Sequence, residues 1–324
     1  MAWKPLWNPS VILKFIKNTF FHHGEIKKYS IGFLFAILAA ILGAIADVLP
    51  KFILEEDSVI GLNPIVMISV MYLINGIIFT GISPKRNPIN EVGKRNFLFL
   101  IIIGASEITA TGTYYFGLKD TSASNAAILG NSDIIFTSII ATIVFREIIR
   151  RNEYFPYCLI VLGSVTIPIW LDLIVNDYQI TKLVFGDILI LLAGLFYGLE
   201  MNLYRYLSDR INSRRILQIV SLTGGVVSLS VVILFQIPIN LNLENIPIIL
   251  ISGIFGIGIS VLFIVIATKY IGAIRTILIF STTTLFGILF SFIILGEEIN
   301  SLHFVAFVMV FLGVVFLRTK ISTE

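Results

Sequence analysis

Charge, cysteine and histidine are all scarce in this chain. Of its 324 residues only 13% are Asp, Glu, Lys or Arg while 57% are hydrophobic, and the mean hydropathy is +0.95. Soluble domains run nearer ~25% charged and ~45–50% apolar, so this balance excludes a soluble fold. The single cysteine, Cys158, sits within an apolar run, which excludes an internal disulfide. The three histidines, His22, His23 and His303, form no ligand-spaced set with Cys or carboxylates, and that excludes a metal centre or a His-based triad. A glycine-rich phosphate loop ending in Lys-Ser/Thr is missing, so ATP hydrolysis by that route is excluded too. The basic residues flank apolar runs instead of interleaving with aromatics, which argues against nucleic acid as a partner. No cofactor is called for.

What the chain does have is apolar length. Ten stretches, at about residues 30–54, 63–83, 96–117, 121–145, 154–172, 184–207, 215–237, 246–268, 274–295 and 300–317, are each long enough to cross the hydrocarbon core. None alternates strictly over ten residues, so membrane-spanning strands are excluded. The expected class is an all-α integral membrane protein of ten transmembrane helices. Residues 1–29 carry five lysines between bulky apolar side chains, and either a helix from about Ser10 to His23 along the cytoplasmic interface against anionic lipid or a plain disordered tail is expected there. With the N-terminus on the cytoplasmic side, 20 of the 23 Lys and Arg fall on that side and only Lys51, Lys119 and Lys182 fall outside. That asymmetry predicts a multi-pass protein of the cell membrane with both termini cytoplasmic.

The chain also repeats itself. Residues 118–167 slide onto 268–317 at a constant offset of 150 without a gap: Lys119 meets Lys269, Ala123 meets Ala273, Phe136 meets Phe286, Glu147 meets Glu297, and Leu162-Gly163 meets Leu312-Gly313. Each copy is a long apolar run ending in an acidic turn, followed by a second run that carries Leu-Gly. The first span of each half overlays more loosely at an offset of 154, pairing Gly32 with Gly186. Two units follow, residues 30–172 and 184–318. Five spans per unit is an odd number, so the second unit enters the membrane from the opposite side and the repeats are inverted.

The run Tyr115-x-Gly117-Leu118-x-x-Thr121-Ser122-Ala123-x-x-Ala126-Ala127-Ile128, the turn Arg146-Glu147-Ile148 and the later Leu162-Gly163 resemble the drug/metabolite transporter superfamily of EamA type. A second version runs from Ala267 through Tyr270-Ile271-Gly272-Ala273 and Leu295-Gly296-Glu297-Glu298-Ile299 to Leu312-Gly313. The resemblance covers about residues 30–318. It implies a transporter whose spans 1–4 and 6–9 surround a central cavity, with spans 5 and 10 outermost, carrying small solutes often in the outward direction. One departure stands out. The proline often found in the middle of spans 4 and 9 of that family is replaced by Ile134 and Thr284, so any kink must arise from another source such as Gly130.

Five acidic residues fall in or near apolar spans: Asp47, Glu107, Asp133, Asp187 and Glu200. A carboxylate at the centre of a span costs at least ~2.5–3.5 kcal/mol, so each must face an aqueous cavity, find a partner or carry a proton. Glu107 and Asp133 lie nearest the midplane, whereas Asp187 is expected at an interface, solvated. Helical spacing groups the polar residues by face. Span 6 presents Tyr197, Glu200 and Tyr204; span 3 presents Glu107, Thr111 and Tyr114; span 4 offers Asn125, Asn131 and Asp133; span 9 offers Thr282 and Thr283. These eleven are the solute-binding candidates, with Glu107, Asp133 and Asp47 as proton-coupling candidates. For any single hydroxyl the bland alternative is a bond to a neighbouring helix or to its own preceding turn.

Gly224-Gly225 on span 7 and Gly253, Gly256 and Gly258 on span 8 are expected to permit close packing. Glu147 and Glu297 are expected to cap the short helical turn that follows each of them. The function expected from all this is secondary transport of a small metabolite, amino-acid-like, amine or other organic solute, by alternating access, with solute and membrane lipid as partners. A membrane enzyme or a receptor built on the same cavity is the rival. The first lacks a nucleophile–base pair in the sequence and the second lacks a soluble sensory domain.

Overall fold

The structure, a computed structural model, describes residues 9–54, 62–82, 92–121, 123, 126, 129–163, 185–297 and 301–322, with the side chains of 9–27, 301–303 and 318–322 left aside. Its elements are helices α1 (Pro9–Val48), α2 (Pro64–Ile82), α3 (Lys94–Asp120), α4 (Asp133–Ile143) and α5 (Tyr154–Val161). The second half supplies α6 (Phe185–Ser208), α7 (Ser213–Leu234), α8 (Leu243–Ile271), α9 (Ala273–Leu295) and α10 (Ser301–Ser322). No strand occurs among the described residues. Seven of these helices are long and apolar enough to cross a membrane, and α4, α5 and α10 complete the ten. Helix is the form that such sequence must take, because it satisfies each backbone N–H and C=O within its own segment.

From Pro9 the basic N-terminal segment is helical and forms the beginning of α1, a single helix of 40 residues that runs unbroken into the first span.

The packing repeats as the sequence does. Helix α3 packs on α6, and its counterpart α8 packs on α1; α4 packs on α6, and α9 on α1. Three contacts join a helix to its own counterpart: α2 to α7, α4 to α9, and α5 to α10. Exchanging the two halves therefore reproduces these pairings, as a two-fold axis lying in the membrane would require.

The aligned Leu-Gly pairs find their reason at the α5–α10 contact. A Cβ on Gly163 would meet Met309 Cβ at 2.8 Å and the Ala306 carbonyl oxygen at 3.1 Å, and one on Gly313 would meet Ile160 at 2.5 Å and the Pro156 carbonyl oxygen at 3.1 Å. Each glycine admits the other repeat's helix to backbone distance, which is how helices associate where no hydrophobic effect drives them together. Gly225 sits likewise against Leu73, and Gly256 against Ala46.

Helices α4 and α9 are interrupted at the same repeat position. A 3-10 turn at Gly130–Ser132 precedes α4, and α9 breaks at Ser281 and Thr282, between Ala273–Phe280 and Thr283–Phe290. No proline is involved. In α9 three successive hydroxyls donate back to carbonyls one turn earlier: Ser281 to Leu278 at 2.7 Å, Thr282 to Ile279 at 2.9 Å and Thr283 to Phe280 at 2.6 Å. Such bonds compete for the helix's own acceptors and bend it. The two breaks touch, since the Asn131 amide donates to the Thr284 hydroxyl.

Two charges near span ends are buried. Lys51 is 8% exposed; its ammonium donates to the carbonyls of Leu118 and Thr121 at 2.8 Å and of Lys119 at 3.3 Å, the orphan acceptors at the end of α3. Asp187, expected to be solvated, is only 2% exposed, because it opens α6 where that helix crosses α3 at Gly117 and Gly186.

Replacing Gly313 with Val should overpack the α5–α10 contact and cost about 1–3 kcal/mol, seen as a lower melting temperature of the purified protein in detergent. An unchanged melting temperature would mean that the two helices do not approach so closely.

Candidate functional site

Polar side chains on a membrane helix have to turn inward, and the spacing of those on α3 and α6 turns them toward each other. On α3, Glu107, Thr111 and Tyr114 recur at four and three residues; on α6, Tyr197, Glu200 and Tyr204 do the same in reverse. The close α3–α6 packing makes the two stripes one surface. Tyr204 Oη donates to Glu107 Oε2 at 2.9 Å and Tyr197 Oη donates to Thr111 Oγ1 at 3.3 Å. From α2, Tyr72 Oη also meets Thr111 Oγ1, at 3.1 Å.

This surface walls a central cavity of about 130 Å³. Asp47 enters from α1, and Asn131 and Asp133 from the broken start of α4. Ser260 and Val261 come from α8, and Phe280 and Thr283 from either side of the break in α9. The interruptions in α4 and α9 thus place polar residues at the depth of the cavity. Tyr115, also in the wall, is fixed by a 3.1 Å bond from its Oη to the Ala46 carbonyl, and Ser260 by a 2.8 Å bond to the Ala39 carbonyl. Helices α5, α7 and α10 contribute no lining residue among those described. Helix α7, expected around the cavity, packs instead outside α2 and α3.

The chemistry of the wall is one-sided. Asp47, Glu107, Asp133 and Glu200 all line the cavity, together with the rings of Tyr72, Tyr114, Tyr115, Tyr197 and Tyr204, and no Lys, Arg or His does among the described residues. Asp133 Oδ1 and Glu200 Oε1 are buried without a hydrogen-bond partner there.

Of the residues singled out in the sequence, Glu107, Thr111, Tyr114, Asn131, Asp133, Tyr197, Glu200, Tyr204 and Thr283 come together in this wall, and so does Asp47. Thr282 is buried but is not among the residues lining the wall. Asn125 lies outside the described residues. Tyr72 was missed by the sequence reading. Its signal was present in the spacing of Ser69, Tyr72 and Asn75, the only polar side chains in the run from Ile68 to Ile78. In the structure Asn75 continues that stripe by donating to the Gly253 carbonyl of α8 at 2.9 Å.

Comparison with known proteins adds the following. The profile of the EamA-like transporter family matches residues 30–168 and again 184–319. A protein of Methanothermobacter thermautotrophicus (strain ATCC 29096 / DSM 1053 / JCM 10044 / NBRC 100330 / Delta H), described as an uncharacterized transporter, is 30% identical over 299 residues, 87% of this chain and 84% of that one. Among solved structures, one crystal structure superposes with a TM-score of 0.66 over 91% of this chain and 96% of the other at 14% identity, a likeness of fold alone.

Removing the Tyr204 hydroxyl with Tyr204→Phe should destabilise the protein by about 1–3 kcal/mol, since Glu107 loses its donor in a buried site. The loss should shrink sharply in a Glu107→Leu background, which offers the hydroxyl no acceptor. Strictly additive losses in thermal unfolding would show that the two side chains do not interact.

Proposed function

The chain belongs to the EamA-like transporter family, and from that premise we propose that it is a secondary transporter carrying a small amine, amino acid or related solute through the central cavity by alternating access. One observation supports the choice of solute. The cavity wall carries four carboxylates and five tyrosines and, among the described residues, no basic side chain. Carboxylates so far from bulk water need a counter-charge, and the ammonium of the solute supplies it. The faces of the tyrosine rings attract the same cation. No group of three His, Cys, Asp or Glu among the described residues is arranged to hold a metal ion, so the wall suits an ammonium better than a metal. A volume of about 130 Å³ is close to the ~150 Å³ that admits a benzene-sized molecule.

Proton coupling follows from the same charge requirement. When the solute leaves, Glu107, Asp133 and Asp47 lose its positive charge, and protons replace it. Solute and protons then share one set of carboxylates, and a proton gradient drives the exchange. The inverted halves supply the geometry of alternating access, each rocking against the other about the midplane. The distribution of Lys and Arg supports a cell-membrane location with both termini in the cytoplasm, which puts Glu147 at the cytoplasmic end and Glu297 at the outer end.

Purified protein in sealed liposomes should give saturable flux of an amine or amino acid that an opposing pH gradient accelerates. Glu107→Gln and Asp133→Asn should each lower that flux roughly tenfold or more, the weight of one charge-assisted contact, and remove its response to the gradient. Flux of dicarboxylates in preference to amines would overturn the choice of solute. Indifference to both substitutions and to the gradient would overturn the coupling.

A further inference from the structure

Glu147, expected to cap the turn that follows it, instead caps a helix of the other repeat, and its aligned partner Glu297 likewise reaches across to the other repeat. Just past α4, Arg146 lies in the left-handed region at φ 55°, and just past α9, Gly296 lies there at φ 71°, the equivalent position. In both, the next N–H reaches back six residues, from Glu147 to the Ala141 carbonyl at 3.0 Å and from Glu297 to the Ser291 carbonyl at 3.3 Å. This C-terminal closure throws the following side chain sideways, off the helix axis. Glu147 therefore reaches the start of α9, where Oε2 accepts from the Ala273 N–H at 3.2 Å and Oε1 from the Ile274 N–H at 3.1 Å. Glu297 reaches the chain ahead of α4, where Oε1 accepts from the Ala123 N–H at 2.8 Å. A carboxylate on the orphan donors of a helix N-terminus is held by charge-assisted bonds and by the helix dipole together.

Gly272 shows how closely the first of these contacts is built. Its φ is +85°, a conformation that favours glycine, and a Cβ there would lie 2.6 Å from Glu147 Oε1 and push the carboxylate off its contact. Beside this contact lies a second cavity of about 500 Å³, lined by Glu147, Arg205, Gly272 and Arg275 among others. Arg275 is meanwhile anchored to Glu153 at the foot of α5 by a 2.7 Å ion pair. Helices α4 and α9 thus run antiparallel and are joined at three points: the Asn131–Thr284 bond at their breaks and one carboxylate at each end.

We propose that Glu147 and Glu297 are the gate latches of the transport cycle, each closing one end of the seam between the repeats. The proposal rests on the alternating-access reading. The Asn131–Thr284 crossing is the pivot. Opening the cavity to the cytoplasm breaks the Glu147 contacts and keeps those of Glu297, and opening it outward does the reverse. In this structure both latches are engaged.

The test reads accessibility of the cavity from each face. Cys158, exposed on α5, is replaced by Ser, and Val261 of the cavity wall by Cys. Right-side-out and inverted membrane vesicles are then treated with a membrane-impermeant maleimide. Glu147→Ala should raise cytoplasmic labelling roughly tenfold relative to outer labelling, the effect of one charge-assisted contact. Glu297→Ala should shift the ratio the opposite way, and the double variant should return it toward the parent value. Ala273→Pro deletes a donor N–H at the first position of the segment Ala273–Phe280, where proline is tolerated, and Ala123→Pro deletes the donor of the other contact; both keep the carboxylates and should shift the ratio in the same senses. A merely structural role moves all four variants in one direction or moves the ratio in none, and either result in folded, monodisperse protein overturns the latches. A parent labelled from one face alone, whatever the variant, overturns alternating access itself.

Discussion

A chain that crosses hydrocarbon has to find a partner inside the protein for every backbone N–H and C=O, and the site follows from where this one does not do so by helix alone. Its helices are interrupted at Gly130–Ser132 and at Ser281–Thr282, deep in the bundle. The backbone groups released there survive only because other helices enclose them and hydroxyls take over some of the bonding. The two repeats put these breaks against each other, so the polar residues of both converge on one volume. The cavity is the place where two duplicated irregularities meet.

Charge is distributed with the same economy. Lys51 is buried, yet its ammonium is spent on the carbonyls that end α3, and Arg275 is tied to Glu153. The cavity itself keeps acidic groups, tyrosine hydroxyls and ring faces. The titratable side chains lining it are thus acids and phenols, and on that rests the proposed preference for a positive solute over an anion of similar size.

Much of this could be read before any coordinates. The spans were visible as apolar length, the duplication as a constant offset, and the cavity wall as polar spacing on α3 and α6. The failures have common causes. Thr282 and Thr283 are neighbours about 100° apart on a helix, and composition does not say which of them turns to the cavity. Asp187 was expected at an interface because counting along a span gives depth, whereas burial depends on which helix crosses there. The partner of Glu147 was misplaced for a related reason. A local reading assigns a cap to the nearest helix in sequence, and here the nearest helix start in space belongs to the other repeat. Tyr72 was overlooked because its stripe on α2 carries no carboxylate to draw notice to it, and its neighbour Ser69 bonds to its own turn at 2.7 Å.

The two ends of the molecule are built to one plan but not from the same material. Where α9 closes with Gly296, α4 closes with Arg146, a side-chain-bearing residue in the same left-handed backbone. Glycine adopts it freely, while a residue with a Cβ gives up about 1 kcal/mol or more to do so. Ancestral symmetry is thus broken in energy before it is broken in shape, and the folded protein rests on an uneven balance in which the Arg146 end is the one under tension.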